Sequence, residues 1–135
     1  TDIGPQNSLN DLNFDGSVAV GQFTNSENTL RAFRWDRQGG VMVLDTDFSR
    51  SSASSSRAVN ASGSIVVGEY LRFGFEGTDA FIWTRADGFE DLHSYLAANF
   101  DLRQQLDNWR LLSAIDISAD GRTIVGQGIN PQGCQ

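Results

Sequence analysis

The only histidine of the chain, His93, is the residue on which a nucleophile–base–acid site would depend. Asp91 and Ser94 stand beside it in a stretch whose apolar residues have helical spacing. Side chains one or two positions apart on a helix do not face each other, as the members of a catalytic triad must. The sequence therefore predicts that His93 is a surface helix residue and that the protein is not an enzyme.

Pairs of carboxylates are the second group that could do chemistry. Asp45 and Asp47 alternate on an extended segment, so their carboxyl groups fall within the roughly 5 to 10 Å that glycoside hydrolysis requires. The same oxygens could hold calcium, although the loop pattern of EF-hand calcium sites is absent. A chain with 17 acidic residues places many such pairs on its surface. We therefore treat Asp45 and Asp47 as candidate ligand-binding residues and expect no cofactor, with calcium as the alternative.

Three tryptophans provide flat surfaces on which sugar rings could stack. Trp35 and Trp83 recur at the same place in two copies of one motif, so we predict that both belong to the core. Trp109 lies outside that motif and is the candidate for an exposed, ligand-binding ring. Cys134 is the only cysteine, which excludes a disulfide within the chain and predicts a free thiol.

Composition limits the partners of the chain. Its 135 residues are enough for one domain with a core. The net charge of −7 argues against a nucleic-acid partner, because binding to phosphates needs a basic surface. No apolar stretch reaches the length of about 18 residues that a membrane-spanning helix needs.

A nine-residue motif occurs three times and defines an internal repeat. Its copies are Asn13–Gly21, Asn60–Gly68 and Ser118–Gly126, which begin 47 and then 58 residues apart. Two further segments, Ala32–Trp35 and Gly40–Leu44, recur at one common offset as Ala80–Trp83 and Gly88–Leu92. Because the first two copies and both of these segments recur at offsets of 47 or 48 residues, they predict a structural unit of about 48 residues.

Each motif predicts short strands and turns. The Asp-Gly and Ser-Gly pairs at Gly16 and Gly63, between apolar runs, predict two-residue type I′ hairpins. Val18–Val20 and Ile65–Val67 are continuous apolar runs, which are typical of strands buried on both faces. One unit then holds four short strands, as a propeller blade does.

Two segments depart from the repeat. The third copy is displaced by 11 residues, 58 minus 47, and Leu92, Tyr95 and Leu96 have helical spacing there. We therefore predict a short helical insertion near 92–107. The serine-rich run Ser49–Ser56 predicts a flexible loop between units.

The predicted fold is all-β, a β-propeller-like array of four-stranded units in a single repeat domain over 1–135. A tail of a preceding unit covers 1–6, unit one 7–52, unit two 53–100, and a partial unit three with the insertion 101–135. Closed propellers have about four to eight blades. We therefore expect the chain to be part of a longer protein or to complete its sheets with other copies.

The motif pattern resembles the HAF repeat, the extracellular repeat of bacterial surface proteins and autotransporter passengers. The resemblance is carried by Ala-Phe-x-Trp, by the following Gly and Asp-Leu, and by Asn-x-Asp/Ser-Gly-Ser-x-Val-Val-Gly, and it covers nearly the whole chain. Phe14, Ala19 and Ser62 depart from the pattern. The resemblance implies an extracellular or outer cell-surface location and a propeller-like fold, and it supplies no catalytic activity.

The sequence leaves two functions open. The first is a non-enzymatic secreted or cell-surface protein that acts in adhesion or self-assembly, with copies of itself or other surface proteins as partners. The alternative is a carbohydrate-binding or glycoside-cleaving propeller domain with glycans as partners. Its candidate residues are Trp109, Asp45 and Asp47.

Overall fold

The computed structural model describes residues 7–47 and 49–132, and in these ranges its regular structure is almost entirely β-strand. The predicted all-β class is therefore confirmed. The segment 1–6, predicted to be the tail of a preceding unit, and Cys134 lie outside the described residues.

The strands form three antiparallel sheets in which consecutive strands are neighbours in space. Sheet one contains β1 (Ser8–Leu12), β2 (Val18–Thr24), β3 (Leu30–Asp36) and β4 (Gly40–Val43). Sheet two contains β5 (Ser51–Val59), β6 (Ile65–Arg72), β7 (Thr78–Thr84) and β8 (Gly88–Asp91). Sheet three contains β9 (Arg110–Ile117) and β10 (Ile124–Ile129). Sheets one and two thus have the four strands predicted for each unit.

The predicted insertion contains one short helix, α1 (Leu92–Asn99). Asp91 is its N-cap and accepts a hydrogen bond from the backbone N–H of Ser94 at 3.0 Å. Leu92 is buried among residues of sheets two and three. The rest of the insertion forms turns, in which the backbone N–H of Leu106 donates to the carbonyl of Leu102 at 2.9 Å.

The two glycines of each nine-residue motif have the same structural role in all three sheets. The first glycine has a φ of 73° to 76°, a left-handed conformation that favours glycine. The second faces a bulge in the preceding strand, so a Cβ atom would lie only 1.8 to 2.1 Å from a carbonyl oxygen. The carbonyl oxygen belongs to Ser8 for Gly21, to Ser55 for Gly68 and to Ser113 for Gly126.

The prediction of type I′ hairpins at these motifs is wrong. That turn requires a positive φ at both central residues, and the residues before Gly16 and Gly63 do not have it. The chain instead makes a five-residue turn over 13–17, in which the side chain of Asn13 accepts from the backbone N–H of Val18 at 2.9 Å. Equivalent bonds of 3.0 Å run from Ile65 to Asn60 and from Thr123 to Ser118. A side-chain cap thus replaces the tight hairpin.

Two apolar cores lie between the sheets. Alternate residues of a strand point to opposite faces, so sheet two contributes to both cores. The first core contains residues of sheet one, Leu44 directly after β4, and residues of sheet two. From sheet one these are Val18, Val20 and Ala32, and from sheet two they are Val59, Val66, Tyr70, Phe81, Trp83 and Phe89. The second contains Ala58, Val67, Ala80 and Ile82 from sheet two, with Ala114 and Ile117 from sheet three and Leu92 from α1.

The serine-rich run Ser49–Ser56, predicted to be a flexible loop, mostly belongs to a buried strand. Strand β5 begins at Ser51, and the boundary predicted between residues 52 and 53 falls inside it. Ser54 accepts a hydrogen bond from the backbone N–H of Ala32 at 2.9 Å, and Ser56 donates to the carbonyl of Phe33 at 3.3 Å. The hydroxyl groups are small enough to let β5 pack closely on sheet one while they satisfy polar backbone atoms.

Candidate functional site

Asp45 is fully buried, and its carboxylate is paired inside the protein. Its Oδ2 lies 3.2 Å from Nη1 of Arg31, a residue that is only 3% exposed. The same Nη1 donates to the carbonyl of Ser51 at 3.1 Å. The structure therefore places Asp45 in the junction between sheet one and β5, away from any surface that a ligand could reach.

Asp47, in contrast, is exposed and caps a local turn. Its Oδ1 accepts hydrogen bonds from the hydroxyl of Ser49 at 2.5 Å and from the backbone N–H of the same residue at 3.1 Å. These bonds hold the pKa of Asp47 below its usual value of 3.8. The two candidate carboxylates thus have separate surroundings. In residues 7–47 and 49–132, no cluster of three or more acidic, histidine or cysteine side chains could hold a metal ion.

Trp109 is 39% exposed and lines a cavity of about 240 Å³ between sheet two, α1 and β9. We call this cavity the Trp109 cleft. It also brings together residues from three distant parts of the chain: Arg72, Asp79, Asp91, His93 and Arg110. The structure thus places the predicted aromatic candidate beside two carboxylates and two guanidinium groups.

Asp79 is the most buried charged group of the Trp109 cleft. Its Oδ2 lies 2.6 Å from Nη2 of Arg72, and its Oδ1 lies 2.9 Å from Nε of Arg110. Because Arg110 is the first residue of β9, this paired carboxylate also links sheet two to sheet three. Both arginine side chains are about two-fifths exposed and can offer further N–H groups to a bound molecule.

Asp91 is held by two different donors in the same cleft. Its Oδ1 accepts from the hydroxyl of Tyr70 at 3.0 Å, and its Oδ2 accepts from the backbone N–H and the hydroxyl of Ser94. Burial of the phenol and the negative charge of Asp91 raise the pKa of Tyr70 to about 12. Tyr70 is therefore a protonated donor at neutral pH.

His93 lies on α1, as predicted, but it is partly buried. Its Nε2 lies 2.9 Å from the carbonyl oxygen of Leu106. The imidazole thus connects the helix to the turns that follow it.

Sequence reasoning missed Arg72, Asp79 and Arg110 as members of this site. Their ion pairs join residues 7 and 31 positions apart, and only the stacking of sheet three on sheet two brings the last of them into contact. One signal was present: Asp79 stands before the Ala-Phe-x-Trp motif where the first unit has Arg31. The charge at these equivalent positions is therefore opposite: it is positive at the junction of sheets one and two and negative at the junction of sheets two and three.

A second candidate surface is the outer face of sheet one, which points away from sheet two. Leu12 and Val41 on this face are 57% and 42% exposed, and Trp35 is partly buried. Phe33 is buried, with Phe23 packed edge-on against it at 6.2 Å between ring centroids. We define the outer face by six residues: Leu12, Ala19, Phe23, Phe33, Trp35 and Val41. They are equivalent to the sheet-two residues of the first core, at offsets of 47 or 48: Val59, Val66, Tyr70, Phe81, Trp83 and Phe89.

Comparisons with known proteins identify no relative of the chain. No family model, curated protein or solved structure matches the chain. Within the part of the chain that the structure describes, no helix is both long and apolar enough to cross a membrane.

Proposed function

We propose that the chain is a non-enzymatic repeat module, secreted or displayed on a cell surface, that acts in adhesion or self-assembly through the faces of its stacked sheets. The observation that carries this proposal is the outer face of sheet one. The HAF-like motifs support the extracellular location. The successive stacking of sheets of similar topology supports a propeller-like array.

Equivalent positions in the three sheets have the same role at each junction. In sheet two, the residues equivalent to the outer face are buried against sheet one. In sheet three, Ile117 and Ile124 occupy two of the same positions and pack against sheet two. The same face therefore docks onto a neighbouring sheet at both junctions within the molecule. By this pattern, the outer face of sheet one docks onto a further sheet.

The partner that fits best is a second copy of this chain. Val20 and Val67 receive the neighbouring sheet at the two internal junctions, and Val125 is their equivalent in sheet three. Val125 is 54% exposed on the side of sheet three that faces away from sheet two. Contact between two different faces is heterologous, so such copies would assemble head to tail into a ring or a filament.

Disulfide crosslinking between copies tests this pairing. In a Cys134→Ser background, protein carrying Leu12→Cys is mixed with protein carrying Val125→Cys, and we expect a crosslinked heterodimer under mild oxidation. Phe73→Cys is the control for Leu12→Cys, because Phe73 is 53% exposed in a turn off the outer face. Equal crosslinking yields for Leu12→Cys and Phe73→Cys would refute the head-to-tail contact.

A second candidate function, glycan binding, is favoured by the Trp109 cleft. An exposed indole beside guanidinium and carboxylate groups is suited to stack on a sugar ring and to bond its hydroxyls. Hydrolysis needs one carboxyl group to protonate the leaving oxygen and another to act as nucleophile or base. Asp79 is paired with two arginines, and Asp91 is engaged by Tyr70 and Ser94. The arrangement therefore favours binding over cleavage.

Glycan-array binding with a single variant tests this candidate. We expect Trp109→Ala to abolish binding, because the variant removes the stacking surface of the cleft. Phe100→Ala is the matched control, since Phe100 is 59% exposed and does not line the cleft. Binding by Trp109→Ala at the level of the unmodified chain would rule out this site.

A further inference from the structure

A larger cavity, of about 420 Å³, lies where the turns of sheets one and two meet. We call it the junction cavity. It is separate from both the Trp109 cleft and the outer face. The polar side chains that matter to its chemistry are Asp15, Arg34, Asp36, Arg37, Ser62 and Arg85.

Two arginines from equivalent positions converge on the junction cavity. Arg37 and Arg85 each follow a strand of the Ala-Phe-x-Trp motif, at the same place in units one and two. Both are exposed, and no described acidic residue forms an ion pair with either of them. The cavity is therefore lined by two arginines that form no ion pair with a described acidic residue.

Arg34 contributes a third guanidinium group from the wall of the cavity, and its side chain is only 3% exposed. Its Nε donates to the carbonyl of Gly63 at 2.9 Å, and its Nη1 donates to Asp36 at 2.6 Å. The guanidinium carbon also lies 5.6 Å from the centroid of the Trp83 ring, which helps to fix the orientation of the group. Two of its three nitrogen atoms are thus engaged by fixed acceptors, which holds the group in the wall of the cavity.

Two carboxylates face the same space, and both are ionised at neutral pH. Hydrogen bonds from Ser17 lower the pKa of Asp15, and the backbone N–H of Gly39, with Arg34, lowers the pKa of Asp36. Each carboxylate keeps lone pairs that can accept hydrogen bonds from hydroxyl groups of a ligand. The cavity thus combines three cationic groups with two strong hydrogen-bond acceptors.

We propose that the junction cavity binds a carboxylated sugar residue. A guanidinium fork bonds both oxygens of a carboxylate, while sugar hydroxyls donate to Asp15 and Asp36. An inorganic phosphate dianion has a single O–H group to donate to these two acids, and its double negative charge is repelled by them. A neutral sugar leaves the unpaired guanidinium groups without a counter-charge. The volume falls within the range of about 300 to 1,000 Å³ that is usual for small-molecule sites.

Titration of the whole chain, followed by NMR amide shifts, tests this proposal with D-glucuronate, D-glucose and inorganic phosphate as probes. We expect saturable binding of glucuronate with shifts at the 13–17, 36–40 and 60–64 turns. Glucose and phosphate should each bind at least about tenfold more weakly, because glucose lacks the anionic group and phosphate lacks the set of hydroxyl groups of a sugar ring.

Variants locate the binding. Arg37→Gln and Arg85→Gln change exposed side chains, so both should fold, and each should weaken glucuronate binding about tenfold or more. Arg122→Gln is the matched control, because Arg122 is a turn residue of sheet three that does not line the cavity. This control should leave the dissociation constant within about twofold, whereas Trp109→Ala distinguishes binding in the junction cavity from binding in the Trp109 cleft.

Four results would overturn the proposal. They are no saturable binding of glucuronate, tighter binding of phosphate than of glucuronate, an equal loss in Arg122→Gln, and loss of binding in Trp109→Ala. The last of these would assign the acidic sugar to the Trp109 cleft. The outer-face proposal is independent of all four, because none of the variants lies on that face.

Discussion

At the scale of single residues, charged groups near the junctions are chiefly used to join sheets. Arg31, paired with the buried Asp45, donates to the carbonyl of Ser51 on β5, and Arg110 reaches from β9 to Asp79 on β7. Removing one member of a buried pair leaves the other charge without compensation, which is strongly destabilising. Exposed acids such as Asp47 have no such effect, because water solvates them in both the folded and the unfolded chain.

The variant Asp45→Asn tests the buried pair. We expect the free energy of unfolding to fall by about 3 kcal/mol, because the variant removes the negative charge that pairs with the buried guanidinium of Arg31. The measurement is urea denaturation followed by tryptophan fluorescence. Asp47→Asn is the control and should cost less than about 1 kcal/mol, since Asp47 is exposed. Equal losses in the two variants would contradict a structural role for Asp45.

The raised pKa of Tyr70 should make the stability of the folded chain depend on pH in the alkaline range. The pKa of its phenol is raised from 10.0 to about 12 in the folded chain. The unfolded chain therefore loses this proton first, and the stabilisation is fully present below pH 10 and disappears as the pH rises through 12. Urea midpoints measured at about pH 9 and about pH 11 should fall less in Tyr70→Phe than in the unmodified chain. An equal fall in both proteins would show that Tyr70 is not the group responsible.

At the scale of elements, the bulge in the first strand of each sheet explains the second glycine of the repeat. The bulges fall at Asn10, Arg57 and Ile115, which are equivalent positions opposite Gly21, Gly68 and Gly126. A bulge increases the local twist and brings a carbonyl oxygen toward the partner strand. Only a residue without a Cβ atom fits there.

Gly68→Ala tests this requirement. The new Cβ would lie 2.1 Å from the carbonyl oxygen of Ser55 and 2.7 Å from the ring of Phe81, so we expect a loss of about 3 kcal/mol in the free energy of unfolding. Gly74→Ala is the matched control, because no other atom lies within 4 Å of its ideal Cβ position. Its positive φ alone should cost about 1 kcal/mol. A Gly68→Ala variant as stable as Gly74→Ala would mean that the strands separate without penalty.

The spacing of motifs predicted the elements better than local composition did. The glycine pairs and the aromatic strands mark backbone geometry that recurs from sheet to sheet, so their periodicity located the four strands of sheets one and two. Serines are typical of loops, yet Ser54 and Ser56 are buried because sheet one lies against them. The turn at Asn13 likewise depends on a side-chain cap that dipeptide patterns do not contain.

The sites were less predictable than the strands, because they form only where separate sheets meet. Trp109 was a candidate because it lies outside the repeat, and it does line a cleft. Its charged neighbours come from β6, β7 and β9, which meet only after sheet three has packed on sheet two. The junction cavity depends in the same way on turns of two different sheets. Arg37 and Arg85 could have been paired from their equivalent positions in the two units.

At the scale of the whole molecule, the three sheets of the described residues form a series whose first and last faces differ. One end is the outer face of sheet one, and the other is the side of sheet three that carries Val125. Leu12 and Val41 at the first end and Val125 at the second are exposed, whereas Ala19 and Phe33 of the outer face are buried. The internal junctions provide a template for how such faces meet. We therefore propose that the two ends bind each other in separate copies.

The molar mass of the chain in solution, measured by light scattering over a range of concentrations, distinguishes such assembly from a monomer. We expect the mass to rise above 14.8 kDa with concentration and to return to that value in Leu12→Glu, which places a charge on the outer face. Phe73→Glu adds the same charge in a turn off that face and should still associate. A mass of 14.8 kDa at every concentration, or equal dissociation in both variants, would contradict assembly through the outer face.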